Sequence, residues 1–280
     1  MPDWRKQHGT VIADFLRELN KQSSSYVLKG GTSLMMCYGL DRFSEDVDLD
    51  SRDKRSIFKI VSSFCDKYGY TFNINKNTDV VKRFMIHYAD DKKPLKVEVS
   101  YREYGLSNEN VTCINNIQVY NIDALATLKI NAYTGRSKIR DLYDIVFICK
   151  NHWDEISDNT KGLIIQGFTF KGFDYFDYIS KQQSDELIDI NKLGDDFLEV
   201  LDNLGLLDTI IEVEYESYRG AMWDNALSVF DSNDKEVFHT DDRYTDPRID
   251  DDIEDADDLR EFVKKEYEKT HNIDRGRDFF

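Results

Sequence analysis

Proline is scarce in this chain, with three in 280 residues, and glycine is sparse at 14. That excludes a linker-rich or collagen-like chain and fits a globular one. Cysteine is equally thin. Cys37, Cys65, Cys113 and Cys149 lie far apart, with no CxxC pair and no Cys/His spacing of a zinc site. The five histidines are scattered too. Reduced thiols, buried as small apolar side chains, are the expectation. No apolar run approaches the roughly 20 residues needed to span a bilayer. The opening MPDWRKQHGT has no signal-peptide core. A cytoplasmic protein without a membrane role is therefore expected. Positive charge is also short: 37 Lys and Arg against 54 Asp and Glu give a net charge of -17. That argues against nonspecific nucleic-acid binding by the whole surface, leaves room for a local basic site, and suits docking to a basic partner.

What is present is core material. Hydrophobic residues make up 40% and aromatics 13%, enough for one large domain or two modest ones. Residues 4 to 22 carry Val11, Ile12, Phe15, Leu16 and Leu19 at helical spacing. SYVLKG reads as a short strand and GTSLMMCYG as the helix after it. EDVDLD alternates acidic and apolar residues, as a strand does. RSIFKIVSSFCDKYG is a helix closed by Gly69. YTFNIN, VVKRFMIHYA and LKVEVSYRE then read as a mainly antiparallel meander, with DDKKP as a turn. NIDALATLKINAY and KIRDLYDIVFICKN form a helical pair around TGRS. Further helices are expected at about 154–166, 182–191 and 195–225, with helices dominating to the end. Residues 231–258 are acidic and poor in apolar groups, which predicts a solvated loop or an acidic arm for a partner; DLREFVKKEYEKT can still form a helix. The expected fold is α+β: a mixed sheet flanked by helices over 1–120, a helical domain over 121–230, and an acidic arm with a terminal helix over 231–280.

The chemistry concentrates in LKGGTSLMMCYGLDRFSEDVDLD, residues 28–50. On a strand, Asp46, Asp48 and Asp50 share one face while Val47 and Leu49 face inward. Carboxylates so placed repel one another unless a cation sits between them, and magnesium favours such hard oxygen ligands, with manganese as an alternative. About ten acid-x-acid pairs are expected by chance in so acidic a chain. The spacing alone is thus compatible with a solvated strand edge. The apolar filling at 47 and 49 and the upstream glycines set this pair apart. Gly30 and Gly31 lie between a strand and a helix, where the backbone can approach a phosphate closely and the helix start offers free N–H groups. Thr32 and Ser33 can cap that helix or donate to phosphate oxygens. A P-loop is absent. A phosphate cradle ahead of a carboxylate pair is a phosphoryl-transfer arrangement, and LKVEVS offers Glu98 as the third carboxylate.

GG[ST] followed by DxD resembles the nucleotidyltransferase superfamily of DNA polymerase beta. The longer LKGGTSL…DRFSEDVDLD more closely resembles the AbiEii/AbiGii toxin family. ALATLKINAYTGRSKIRDLYDI is similar to that family's lysine-bearing helix and the arginine–aspartate helix after it, matching Lys129, Arg140, Asp141 and Asp144. The resemblance covers roughly residues 25–150. Read without the family, Lys129, Arg136, Lys138 and Arg140 make a local basic patch able to hold a triphosphate or RNA backbone, or an ordinary salt-bridge network with Asp141 and Asp144.

The resemblance implies an NTP-dependent nucleotidyltransferase that releases pyrophosphate. Asp46 and Asp48 would bind the metal, and Glu98 or Asp141 would complete the site or act as base. Gly30, Gly31, Thr32, Ser33, Lys129 and Arg140 would hold the nucleotide. It further implies a toxin with a separate antitoxin protein and an RNA acceptor, with the 3′ end of tRNA as one form. Two other readings stay open on the residues: transfer to a protein or a small molecule such as an aminoglycoside, and a non-catalytic nucleotide-binding module.

Overall fold

The computed structural model describes residues 3–102, 107–207, 211–223, 226–249 and 253–275. The chain divides into two units, Met1–Leu206 and Leu207–Phe280.

In the first unit, a seven-stranded mixed sheet forms from β1 (Tyr26–Lys29), β2 (Val47–Ser51), β3 (Thr71–Asn77), β4 (Val81–His87), β5 (Leu95–Ser100), β6 (Val111–Ile114) and β7 (Ile117–Tyr120), in the order β3-β4-β5-β2-β1-β7-β6. The expected meander is β3-β4-β5, antiparallel throughout. Strand β5 then runs parallel to β2, and β2 antiparallel to β1. The β6–β7 hairpin escaped the sequence reading. Its turn is Asn115-Asn116, both at positive φ (52° and 63°), the backbone that a two-residue hairpin needs and asparagine tolerates.

Period-two burial divides the sheet into two faces. Val47, Leu49, Val97 and Val99 are at most 1% exposed and join one core with helices α1 (Asp3–Gln22) and α3 (Phe58–Tyr68). Val11, Ile12, Phe15, Leu16 and Leu19 supply the stripe of α1, and the Phe15 ring meets Phe64 of α3 edge-on at 5.3 Å. Gly69 closes α3 in the left-handed conformation (φ 71°), as expected. The acidic residues of β2 therefore project from the opposite face.

Helix α2 (Gly30–Cys37) follows β1 without a connecting loop. The expected helical pair is α4 (Ile122–Gly135), capped by the Asn121 side chain accepting from the Ala124 N–H, and α5 (Ile139–His152). Helices α6 (Asp158–Phe170), α7 (Phe173–Gln182) and α8 (Ile190–Asn203) complete the unit. All four cysteines are free thiols.

The second unit corrects an expectation. The helix read over 195–225 stops at Asn203, and the chain forms an antiparallel sheet of β8 (Ile211–Tyr215), β9 (Tyr218–Trp223), β10 (Ala226–Phe230) and β11 (Glu236–Thr240), in that order. IEVEY alternates apolar and acidic residues, a strand period short enough to be mistaken for one turn of helix. The region 231–258 is likewise more than a solvated arm. It includes β11 and the start of α9 (Ala256–Arg275), anchored by buried Phe238, Ile253 and Leu259. Phe262 of α9 packs edge-on against Phe238 at 4.9 Å, and Gly220 of β9 admits Val263 so closely that a Cβ there would sit 2.3 Å from it. No helix among the described residues is long and apolar enough to cross a membrane.

Candidate active site

Strand register builds the site. Asp48 of β2 lies opposite Glu98 of β5 on one side and Lys29 of β1 on the other, while Glu98 lies opposite Arg83 of β4. The row Arg83–Glu98–Asp48–Lys29 crosses four strands on the face turned away from the core. Asp46 stands two residues before Asp48, immediately ahead of β2.

Each carboxylate meets a cation. Arg83 binds Glu98 at 2.6 Å. Lys96 lies 2.6 Å from Asp46 and 3.9 Å from Asp48. Lys29 reaches past Asp48 to Asp50 at 2.5 Å, and the Tyr120 hydroxyl donates to Asp50 at 2.8 Å. Asp50 is nearly buried and fully engaged, so it anchors Lys29 and β7. The Asp48 carboxylate keeps 36% of its surface open, yet protein atoms crowd it on the remaining sides. Burial raises its pKa above the usual carboxylate value, with Asp46 and Glu98 adding to the rise and Lys96 opposing it. For Lys96, burial works to lower the pKa, but the hydrogen bond to Asp46 and the charges of Asp48 and Glu98 leave it raised.

The glycine turn passes directly beside this pair. Gly30 has φ +78°, and a Cβ on it would stand 3.3 Å from an Asp48 carboxylate oxygen. A Cβ on Gly31 would stand 2.7 Å from the Arg42 guanidinium and 3.0 Å from the Ser44 hydroxyl. The hydroxyls of Thr32 and Ser33 are buried and spent within the protein. Thr32 donates to the Asp46 carbonyl and lies 2.9 Å from the Ser44 hydroxyl; Ser33 donates to the Gly30 carbonyl at 2.6 Å. They fasten the turn to itself and to the start of β2, which leaves backbone N–H groups as what this turn offers a phosphate. Substituting Gly31 with alanine is expected to displace Arg42 and cost about 1–3 kcal/mol as overpacking does, read as a lowered unfolding midpoint.

Helices α4 and α5 bring a second charge network. Lys129, 8% exposed, pairs with Asp144 and lies 3.6 Å from Asp141. Asp144 is wholly buried and also accepts from Arg42 at 2.7 Å. Arg136 clamps Asp141 through two hydrogen bonds of 2.7 and 3.0 Å. Asp141 is thus oriented by Lys129 and Arg136. Arg140 turns elsewhere: it binds Asp185, lies 3.6 Å from Glu45, and does not line the cavity.

The cavity between sheet and α4 measures about 640 Å³. Lys29, Arg83, Lys96, Lys129, Arg136 and Lys138 line it, against only Asp48, Glu98 and Asp141. In a chain of net charge -17, this cavity is locally cationic. It suits a polyanion the size of a nucleoside triphosphate. Lys29, Arg83, Lys96 and Arg42 went unnoticed in the sequence. The first three follow from strand alternation once register is known; the Arg42–Asp144 contact spans 102 residues and carries no local signal.

Among the described residues, no three Asp, Glu, His or Cys side chains converge as a ready-made cation cage. The carboxylates point at ammonium and guanidinium groups instead. The donor set nonetheless fits magnesium: two aspartates on one strand face, a glutamate on the neighbouring strand, and a cation already bound where charge neutralisation is needed.

Comparison with known proteins follows the same line. A family model described as the nucleotidyl transferase AbiEii toxin of a type IV toxin–antitoxin system matches residues 14–265. No curated protein matches the chain. Two solved structures from Helicobacter pylori share its fold: JHP933, at TM-score 0.62 and 25% identity over 74% of this chain and 94% of that one, and a candidate nucleotidyltransferase, at 0.61 and 28% over 75% and 100%.

Proposed function

This chain belongs to the AbiEii nucleotidyltransferase toxin family, and from that premise we propose that it transfers a nucleoside monophosphate from an NTP to an RNA hydroxyl, with the tRNA 3′ end as the favoured acceptor and a separate antitoxin protein as its partner. The observation that carries the reading is the cavity: Asp48 and its cross-strand partner Glu98 set among six cations beside a glycine turn, with Asp46 bridged to Asp48 by Lys96.

In this reading Asp46, Asp48 and Glu98 hold the magnesium, and Gly30 and Gly31 present backbone N–H groups to the triphosphate. Lys129, Arg136 and Lys138 face its negative charge from α4 and the connection to α5. The bound metal supplies charge neutralisation at the phosphates and acidifies the attacking hydroxyl. The acceptor oxygen bonds to the α-phosphorus, the bond from that phosphorus to the bridging oxygen breaks, and pyrophosphate leaves. Glu98 lies directly across from Asp48 and is paired with Arg83, and Asp141 is held by Arg136 and Lys129; whichever of the two does not serve the metal takes the proton of the attacking hydroxyl. Arg140 acts outside the nucleotide pocket.

The acidity of the chain is no barrier to an RNA acceptor. Residues 207–280 hold 23 acids against 10 bases, whereas residues 1–206 hold 31 against 27. The unit that carries the site is close to neutral.

The test incubates purified protein with magnesium, each α-labelled NTP and total cellular RNA. Label entering a tRNA-sized band supports the reading and identifies the nucleotide. Label entering protein or a small molecule replaces the acceptor, and nucleotide binding without any transfer replaces the enzyme by a binding module. A pH series adds a second check. Burial raises the Asp48 pKa, so protons compete for this ligand from a higher pH than for an ordinary aspartate. The rise in melting temperature given by magnesium plus NTP is expected to be full well above the raised Asp48 pKa. It should shrink as the pH falls toward that raised value, before ordinary carboxylates titrate.

A further inference from the structure

We propose that Lys96 is a substrate-positioning residue: its ammonium holds the Asp46–Asp48 pair before a divalent cation arrives, and passes to the phosphates of the nucleotide when that cation takes its place. The proposal rests on the nucleotidyltransferase reading above and adds a residue and an order of events to it.

The geometry is specific to Lys96. It is the group that spans both aspartates, 2.6 Å from Asp46 and 3.9 Å from Asp48. A divalent cation held by those oxygens would exclude an ammonium from the same position, by size and by charge. Four of the other five cations lining the cavity are anchored on carboxylates other than Asp46 and Asp48. Lys29 holds Asp50, Arg83 holds Glu98, and Lys129 and Arg136 hold the α5 aspartates. A displaced Lys96 therefore meets no vacant carboxylate in the cavity, and its neighbours Lys29, Arg83 and Lys129 repel it. A triphosphate supplies the missing anion. The lysine stem is flexible enough to carry the ammonium several ångströms with the backbone of β5 held still.

A thermodynamic consequence follows. If the metal must evict Lys96, and the nucleotide offers Lys96 a new partner, then metal and nucleotide each strengthen the binding of the other by the same factor. Metal alone binds weakly; metal with nucleotide binds well. Loss of the ammonium changes both terms in opposite directions, which a residue serving only the fold would not do.

The experiment is calorimetric titration of the full-length protein with Mn2+, alone and in the presence of the α,β-methylene analogues of the four NTPs, which cannot be transferred. In the wild type the preferred analogue is expected to tighten Mn2+ binding by roughly tenfold or more. In Lys96→Met, Mn2+ alone binds severalfold tighter than to the wild type, and the analogue's effect is severalfold smaller, leaving only the part that direct metal–phosphate contact supplies. Lys93→Met, which loses only an exposed pair with Glu45, behaves as the wild type. Lys96→Gln serves in the same way should the methionine variant fold poorly. Unchanged or weaker Mn2+ binding in the Lys96 variants, or an unaltered metal–nucleotide coupling, overturns the proposal while leaving the nucleotidyltransferase reading intact. Absence of Mn2+ binding to every protein, with and without analogue, overturns the metal site itself and the proposal with it.

Discussion

Asp48→Asn is expected to lower nucleotide transfer by roughly a hundred- to a thousandfold or more, while the protein remains at least as stable as the wild type. Two observations combine here. Asp48 stands at the centre of the charged row, opposite Glu98 and beside the Gly30 backbone, so in the proposed reading its loss would remove a metal ligand from the middle of the site. Its folded-state pKa is raised, chiefly by burial. An acid with a raised folded pKa contributes stability while protonated, at low pH, and loses that contribution as the pH rises through the folded pKa. Once deprotonated, Asp48 is therefore a burden on the fold, which neutral asparagine relieves. Labelled-nucleotide transfer and thermal unfolding, measured on the same preparation, check both halves. An inactive and unfolded variant would mean that Asp48 serves the architecture and not the chemistry.

Asp144→Ala is expected to have the largest effect on stability. Asp144 is inaccessible to solvent and faces two cations, Arg42 at 2.6 Å and Lys129. Removing it strands both charges in a region where neither is well hydrated. Breaking a buried pair in this way costs about 3–5 kcal/mol, which for a unit of this size lowers the melting temperature by about 10 °C. Activity falls as well, because Lys129 loses the group that fixes it beside the cavity. The combined replacement Arg42→Leu, Asp144→Leu, Lys129→Met removes all three charges together and recovers much of the stability without recovering transfer. Chemical denaturation of the single and triple variants distinguishes the two effects. A single variant as stable as the wild type would show that Asp144 carries little of the structure.

The residues of the candidate site were legible to different degrees for identifiable reasons. Asp46 and Asp48 stood out because strand alternation pairs them with buried Val47 and Leu49. Glu98 stood out for the same reason, between Val97 and Val99. Lys96 sits on that same alternating face and was passed over, since its importance depends on β5 lying parallel to β2 in a given register. Thr32 and Ser33 read as phosphate donors from their position after two glycines. The fold instead turns both hydroxyls inward, onto Asp46 and Gly30 backbone carbonyls. Arg140 belongs to the quoted Arg-Asp motif, but its partner is Asp185, 45 residues away.

The same division holds for the fold. Local patterns sufficed for α1, the β3-β4-β5 meander, the Gly69 helix stop and the α4–α5 pair, because burial periodicity and capping act over a few residues. They failed over 211–240, where short strands gain their stability from packing against α9, a segment more than 15 residues further on. By itself the sequence determined which acids share a strand face and that a glycine turn precedes them. Only the tertiary structure decided which cations answer those acids, because ion pairing depends on which strands and helices are neighbours, and that follows from sheet order and not from distance along the chain.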